Sequence, residues 1–411
     1  MAKIKFCRNC KSMKFENLFS LGKLSFTGKF SNKLNNNIPK DYINLIKCKK
    51  CNLVQLDRNF NPNYLYGSDY GYRSGINKTM TDHLLSISNK LSKLTNLKNI
   101  DLVLDIASND ATLLNSYKTR NIIKVGIDPI LKKYKKFYKY INFKIPNFFS
   151  QKTILQAGIS QKFKIITACA VFYDIKHPNR FLADISNLLD QQEGIFYLEF
   201  QDLLSIIKFN LFDTICHEHI AYYSLEVVQK MLKKNNLKLI DVFKNNINGG
   251  SLSLVISHNK SKYRLNNLRI NKLVLEEQRY NLKNKKTYYN FYKKINLIKK
   301  KLFDFILKLT LSKKTIHGYG ASTKGNVLLQ YFEINKEYIP YIADRNPDKN
   351  NLYTPGSKIK IINEKKSRSM IPDYYLVLPW HFKNEILKRE KKIRKIGTKF
   401  IFPLPKLEIL K

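Results

Sequence analysis

The chain has 411 residues, 44% of them hydrophobic, and carries 74 Lys and Arg against 31 Asp and Glu, a formal charge of +43. That length and apolar content can bury ample core in about two or three domains. With no apolar run of about 18 residues and no apolar h-region at the N-terminus, the chain reads as cytoplasmic, with no membrane partner.

The charge invites a nucleic-acid partner, because basic surfaces bind phosphate by counterion release. Its distribution argues otherwise. Lysine exceeds arginine and is dispersed among Asn and Ile, and residues 151–250 hold 11 basic against 10 acidic residues whereas 251–411 hold 36 against 12. No nucleic acid is therefore expected, although a basic surface favours a phosphate-bearing small molecule.

The first feature in chain order is Cys7-Arg-Asn-Cys10 with Cys48-Lys-Lys-Cys51. Two Cys-x-x-Cys knuckles can supply four thiolates to one tetrahedral zinc, and four cysteines close the shell, so the metal would be structural. Disulfides are the alternative, disfavoured by the expected compartment. The long spacer predicts a small sheet, with strands near Phe15–Leu21 and Leu53–Leu56. Cys169 and Cys216 lack knuckle spacing. From Tyr64 to Met80, tyrosines among glycines make a pliable loop of the kind that covers ligands, or else aromatic anchors between domains. A helical pattern follows from about Asp82 to Leu94.

From Leu102 to Phe243 strands and helices alternate. Strands are predicted near 102–106, 122–127, 164–168, 194–200 and 237–243, and helices near 179–190 and 224–235, which implies a mostly parallel, doubly wound sheet. The first strand ends in Asp105 and turns through Ala107, Ser108, Asn109, Asp110 and Ala111 into a helix; the second ends in Asp128-Pro129. Ligands of open α/β sheets sit at such carboxyl ends, where an acid can read a ribose. Alanines stand where a dinucleotide fingerprint needs glycine, and Asp110 would repel a pyrophosphate. A cationic S-adenosylmethionine suits this acidic loop better; an ordinary turn without a ligand is the bland reading.

Three titratable residues, His217, Glu218 and His219, stand together just before a helix. Histidine titrates near neutrality and a neighbouring carboxylate can orient it, so this is the candidate acid/base segment. The His-Glu-x-x-His spacing of a zinc protease is absent, and a structural histidine cluster is the alternative. Further on, a long helical stretch from about Asn271 to Thr310 leads to a strand over 314–319. The turn holding Gly320, Ser322, Lys324, Gly325 and Asn326 then opens a helix, a place where backbone N–H groups can hold phosphate. Strands near 339–343 and 374–378 and a helix over about 381–392 complete a second α/β unit.

The Cys-x-x-Cys pairs, Tyr-Gly-Tyr-Arg-Ser-Gly (70–75), Leu-Asp-Ile-Ala-Ser-Asn-Asp (104–110), Asp-Thr-Ile-Cys-His-Glu-His (213–219), Gly-Gly-Ser-Leu (249–252), Gly-Tyr-Gly-Ala-Ser-Thr-Lys-Gly-Asn (318–326) and Leu-Tyr-Thr-Pro-Gly (352–356) occur in that order. The ordered set resembles the three-domain, zinc-containing, S-adenosylmethionine-dependent C-methyltransferases that act on nucleotide-linked keto-deoxysugars. The resemblance implies a zinc domain (1–60), a class I methyltransferase core with the tyrosine-rich loop (61–245) and a smaller substrate-binding α/β domain (246–411). It also implies His219 as base with Glu218 beside it, and Tyr70 or Tyr72 as active-site hydroxyls; Tyr72 or His217 would be the donor to an enolate oxygen. Ala111 replaces a usual glycine of the family and Cys216 a usual tyrosine. O-methylation, a nucleic-acid methyltransferase and a scaffold with a decayed cofactor loop are the alternative functions.

Overall fold

The structure is a computed structural model that describes residues 2–34, 38–67 and 71–411. The N-terminal sheet is antiparallel and joins β1 (Phe15–Ser25), β2 (Lys40–Cys48) and β3 (Val54–Leu56). Its fourth strand comes from much later in the chain. Between them, helix Lys78–Thr95 starts a turn earlier than the pattern suggested and buries Met80, Leu84, Ile87 and Leu91 on one face, the 3.6-residue spacing that an amphipathic helix requires.

The central sheet contains β4 (Leu102–Ile106), β5 (Ile123–Ile127), β6 (Phe143–Ile145), β7 (Ile165–Cys169) and β8 (Ile195–Phe200), all paired in parallel. Every residue of β4 and β8 is buried, as expected of strands covered on both faces. After β8, the two-residue strand β9 (Ala221–Tyr222) leaves to pair with β3 in the N-terminal sheet. The chain returns through β10 (Leu237–Asn245) and β11 (Ser251–His258), giving the order β10-β11-β8-β7-β4-β5-β6, in which only β11 runs against the direction of the other strands. The strand order reverses at β4, and the crevice at that reversal is where such sheets bind ligands. Because β11 is hydrogen-bonded to β8, the central sheet extends beyond residue 245, where the sequence suggested a domain boundary.

The predicted single helix over 271–310 is two, Asn267–Arg279 and Lys285–Leu311, each capped at its start by an Asn side chain and separated where Asn281 takes a positive φ of 47°. The third sheet runs β12 (Ile316–Tyr319), β13 (Tyr341–Asp344), β14 (Lys360–Asn363), β15 (Tyr374–Val377), β16 (Lys399–Phe402) and β17 (Glu408–Leu410) in the order β14-β13-β12-β15-β16-β17, parallel except for β17. The helix expected over 381–392 is broken into Lys383–Arg389 and Lys391–Lys395. No helix among the described residues is long and apolar enough to cross a membrane.

Candidate active site

The four knuckle cysteines converge, with every sulfur within 4.8 Å of the others. Cys7 and Cys51 sulfurs are 3.6 Å apart and Cys10 and Cys48 3.5 Å apart, close to the ~3.8 Å edge of a tetrahedron with ~2.3 Å zinc–sulfur bonds. All four are free thiols, so the disulfide alternative falls. The Gln55 amide donates to Cys7 Sγ at 3.3 Å, the kind of outer contact that steadies a metal ligand.

This module also holds the His-Glu-His segment. Leu56 N–H donates to the Ile220 carbonyl at 3.0 Å, and Thr27 Oγ1 donates to Glu218 Oε2 at 3.1 Å. Gly28 makes that approach possible, since a Cβ there would stand 2.6 Å from Glu218 Oε1. His217 and His219 part company. His217 is buried edge-on against Phe26 and Phe60, with Nε2 3.3 Å from the Asp41 carbonyl; burial pushes it down to about 4. It does not line the cavity, so its expected role as an enolate donor has no geometry behind it.

His219 lies on the wall of a cavity of about 480 Å³ between the central and C-terminal sheets. Nδ1 is 2.7 Å from the Thr214 carbonyl and 3.1 Å from Thr214 Oγ1. An imidazole that donates Nδ1–H to a carbonyl keeps its lone pair on Nε2. The ring lies 4.0 Å, centroid to centroid, from that of Tyr173. Burial, and then the Lys324 cation, push His219 down to about 3, while burial pushes the Glu218 carboxyl up. Opposed shifts in neighbouring acids and bases are what acid/base sites show. Glu218 and Tyr72 also line the cavity; Tyr70 lies outside the described residues. Cys216 is buried and absent from the wall.

On the central-sheet side the wall includes Ala107, Asn109, Asp128 and Pro129. Ala107, Asn109 and Ala111 all have φ between 51° and 59°, which explains why glycines are expected there. Asp128 accepts the Asn109 and Ile130 N–H groups at 2.9 and 2.8 Å, and burial pushes it up to about 6. Four expected cofactor contacts are turned elsewhere. Asp105, pushed up to about 7 by burial, accepts Thr167 Oγ1 at 2.6 Å; Ser108 Oγ meets Tyr138 OH at 2.7 Å; and the Ala111 methyl packs in the core beneath the turn. Asp110 accepts the Gly75 N–H at 2.9 Å, as Asn109 Oδ1 accepts that of Ser74. These two residues fasten Ser74 and Gly75 of the tyrosine-rich loop over the turn.

On the opposite side Gly320, Ser322 and Lys324 line the cavity. Gly325 and Asn326 do not: Gly325 N–H donates to Ser322 Oγ at 3.0 Å, and Asn326 Nδ2 to the Thr27 carbonyl at 2.7 Å. The Ala321 N–H is held by Asp344 Oδ2 at 2.7 Å. Two donors of this turn, the Ala321 and Gly325 N–H groups, are thus taken, and the Asp344 carboxylate stands near the helix start, where it disfavours an anion. The wall also contains residues without a spacing signal, among them Asn147, Phe148, Tyr173 and His381. Another is Glu199, whose carboxylate accepts from His83 Nε2 at 2.8 Å, Ser253 Oγ at 2.7 Å and Asn245 Nδ2 at 2.8 Å.

The profile of the C-methyltransferase C-terminal domain matches residues 246–405, and that of a zinc binding domain matches residues 7–66. The chain thus carries a C-methyltransferase C-terminal domain and a zinc binding domain. The C-methyltransferase NovU of Streptomyces niveus is 25% identical over 376 residues, which are 90% of this chain and 87% of NovU. Among solved structures, an S-adenosylmethionine-dependent methyltransferase from Clostridium acetobutylicum is 13% identical with a TM-score of 0.34, over 43% of this chain and 92% of that one. The plantazolicin methyltransferase BamL is 19% identical with a TM-score of 0.36, over 44% of this chain and 87% of that one. The chain joins a four-cysteine module, a mostly parallel α/β sheet and a further α/β sheet, with a cavity lined by residues of all three regions.

Proposed function

We propose that this enzyme transfers a methyl group from S-adenosylmethionine to the carbon beside the ketone of a nucleotide-linked 4-keto-deoxysugar. S-adenosylmethionine supplies an electrophilic methyl group. The residues present suit it: the positive-φ turn brings the backbone of Ala107 and Asn109 to the cavity, and Asp128 at the end of β5 can take the ribose hydroxyls. One zinc held by Cys7, Cys10, Cys48 and Cys51 braces the segment that carries the base.

The observation that supports the reading most is the orientation of His219. Its Nδ1 is committed to the Thr214 carbonyl, so Nε2 is the atom that takes the C3 proton acidified by the C4 ketone. The enzyme then has to align carbanion and methyl carbon and to hold the charge on the enolate oxygen. Solvent-deuterium exchange at C3 isolates the first step from methyl transfer. His219→Asn is expected to lower both exchange and methylation by about 100- to 10,000-fold. Fast exchange in that variant would remove His219 as the base.

A further inference from the structure

We propose that Lys324 is a second catalytic residue, its ammonium stabilising the enolate oxygen formed when His219 removes the proton beside the ketone. The proposal rests on the base-assisted C-methylation above and adds the cation that this chemistry requires.

Lys324 is the second residue of helix Thr323–Tyr331 and lines the cavity. Nζ donates to Gln201 Oε1 at 2.9 Å and to the Asn248 carbonyl at 3.0 Å, which leaves the third donor of an ammonium for the cavity. The same Gln201 Oε1 accepts Thr214 Oγ1 at 2.5 Å, and the Thr214 carbonyl takes His219 Nδ1. Base and cation are therefore mounted on one hydrogen-bonded frame, Lys324–Gln201–Thr214–His219. Behind it lies Asp213, fully buried, with Oδ2 2.9 Å from Trp380 Nε1. Burial pushes Lys324 down and Asp213 up, and each charge acts against that by favouring the other. A lysine meant for a nucleotide's phosphates would gain nothing from two neutral acceptors and a carboxylate deep in the wall.

The electrostatics of the base require such a group. Burial and the Lys324 cation hold His219 in its neutral, proton-accepting form but make it a weak base. A weak base removes a carbon-bound proton only if the carbanion is stabilised, and a desolvated cation at the ketone oxygen does that. The C–H bond breaks, its proton goes to His219 Nε2, and its electron pair is shared between carbon and oxygen. When the carbon would form its bond to the methyl group, the sulfonium S–CH3 bond would break with its electron pair left on sulfur, and the oxygen would return to a carbonyl. The cation that weakens the base thereby strengthens the acid it works on.

The test uses the full-length, zinc-loaded enzyme and thymidine- and uridine-diphosphate 4-keto-6-deoxyglucose as probes. Deuterium incorporation beside the ketone is measured without cofactor, and S-adenosylhomocysteine binding by calorimetry. In Lys324→Met, exchange is expected to fall about 100- to 1,000-fold, with S-adenosylhomocysteine binding within about 3-fold. The acid limb of exchange is expected to move to higher pH, because removing a cation beside His219 raises its pKa. Propylammonium is expected to restore part of the rate in Lys324→Ala. If Lys324→Met fails to bind S-adenosylhomocysteine, Lys324→Gln, which keeps donors for Gln201 and Asn248, takes its place. Exchange within about 3-fold of wild type in the folded variant overturns the proposal. Wild-type enzyme that neither exchanges nor methylates the probes overturns the underlying sugar reading, and the proposal with it.

Discussion

Two strand-turn-helix units contribute to the cavity, and they do opposite things with the same local design. After β4, the turn takes positive φ at Ala107, Asn109 and Ala111, and Ala107 and Asn109 line the cavity. After β12, Ser322 caps its own helix, Asp344 holds the Ala321 N–H, and Lys349 Nζ donates to the Ala321 carbonyl at 2.6 Å. The first turn, whose Ala107, Asn109 and Ala111 N–H groups are taken by Ile127, Asp128 and Ser108, is open toward the Asp128 carboxylate; the second, whose Ala321 and Gly325 N–H groups are taken, is closed by one buried lysine. What distinguishes the two turns is the charge beside them, a carboxylate at the first and an ammonium at the second, which the glycine and serine spacing does not disclose.

Removing the metal is expected to have the largest effect, because neither turn supplies the base. The His-Glu-His segment is held by β3 through β9 and Leu56, so the zinc module sets where His219 stands between the turns. Structural zinc sites contribute folding energy outright. Chelation, or Cys48→Ser, is expected to abolish activity and to expose the amides of Val54–Leu56 and Ala221–Tyr222 to hydrogen exchange together, while β4 and β5 stay protected. Protection retained around Ala221 after metal loss would separate the module from the active site.

Next in size is Asp128→Asn, at the end of β5, where the carboxylate holds the Asn109 N–H of the open turn. The carboxylate is the group proposed to hold the ribose, and hydrogen bonds to charged groups contribute about 1.5–3 kcal/mol, so the expected loss is roughly 10- to 100-fold in S-adenosylmethionine affinity by calorimetry. The corresponding change in the closed turn, Ser322→Ala, is expected to leave nucleotide affinity alone. It would cost about 1 kcal/mol of stability through loss of the cap, read as a lower denaturation midpoint. A Ser322→Ala variant with native stability and weakened nucleotide binding would restore the phosphate reading.

The strands that line both turns were legible because buried parallel strands are short apolar runs, and the zinc cluster because four thiolates need paired knuckles. What escaped was non-local. Strand β11 follows the Gly249-Gly250 turn directly in sequence, yet it inserts between β8 and β10, a choice made by sheet pairing rather than by its own residues. His217 and His219 differ by two positions, and only the turn over Phe212–Thr214 and the tie to β3 decide that one enters an aromatic box and the other the cavity. His83, paired with Glu199 across 116 residues, and His381 carry no spacing signal at all. Asp105 was expected at the end of its strand and Ser108 and Asp110 on the turn, and their side chains serve Thr167, Tyr138 and Gly75.

The smallest expected effect separates the two turns most finely. Ala111 has φ 59° and ψ 18° and its methyl is fully buried. Replacing it with glycine relieves about 1–2 kcal/mol of left-handed strain. Against that stand about 0.8 kcal/mol of lost methyl burial and about 0.4–1 kcal/mol of added unfolded-chain entropy. Ala111→Gly should therefore lie within about 1 kcal/mol of wild type by denaturation. The turn already has the conformation a glycine would give it, so S-adenosylmethionine affinity should change by less than about 3-fold. In the closed turn the reverse exchange is expected to be felt: Gly325→Ala puts a Cβ 2.7 Å from Leu378 Cβ, and overpacking of that kind costs about 1–3 kcal/mol. A tenfold gain in affinity from Ala111→Gly would show that the alanine, and not the sequence's departure from a glycine pattern as such, holds the open turn away from its best geometry.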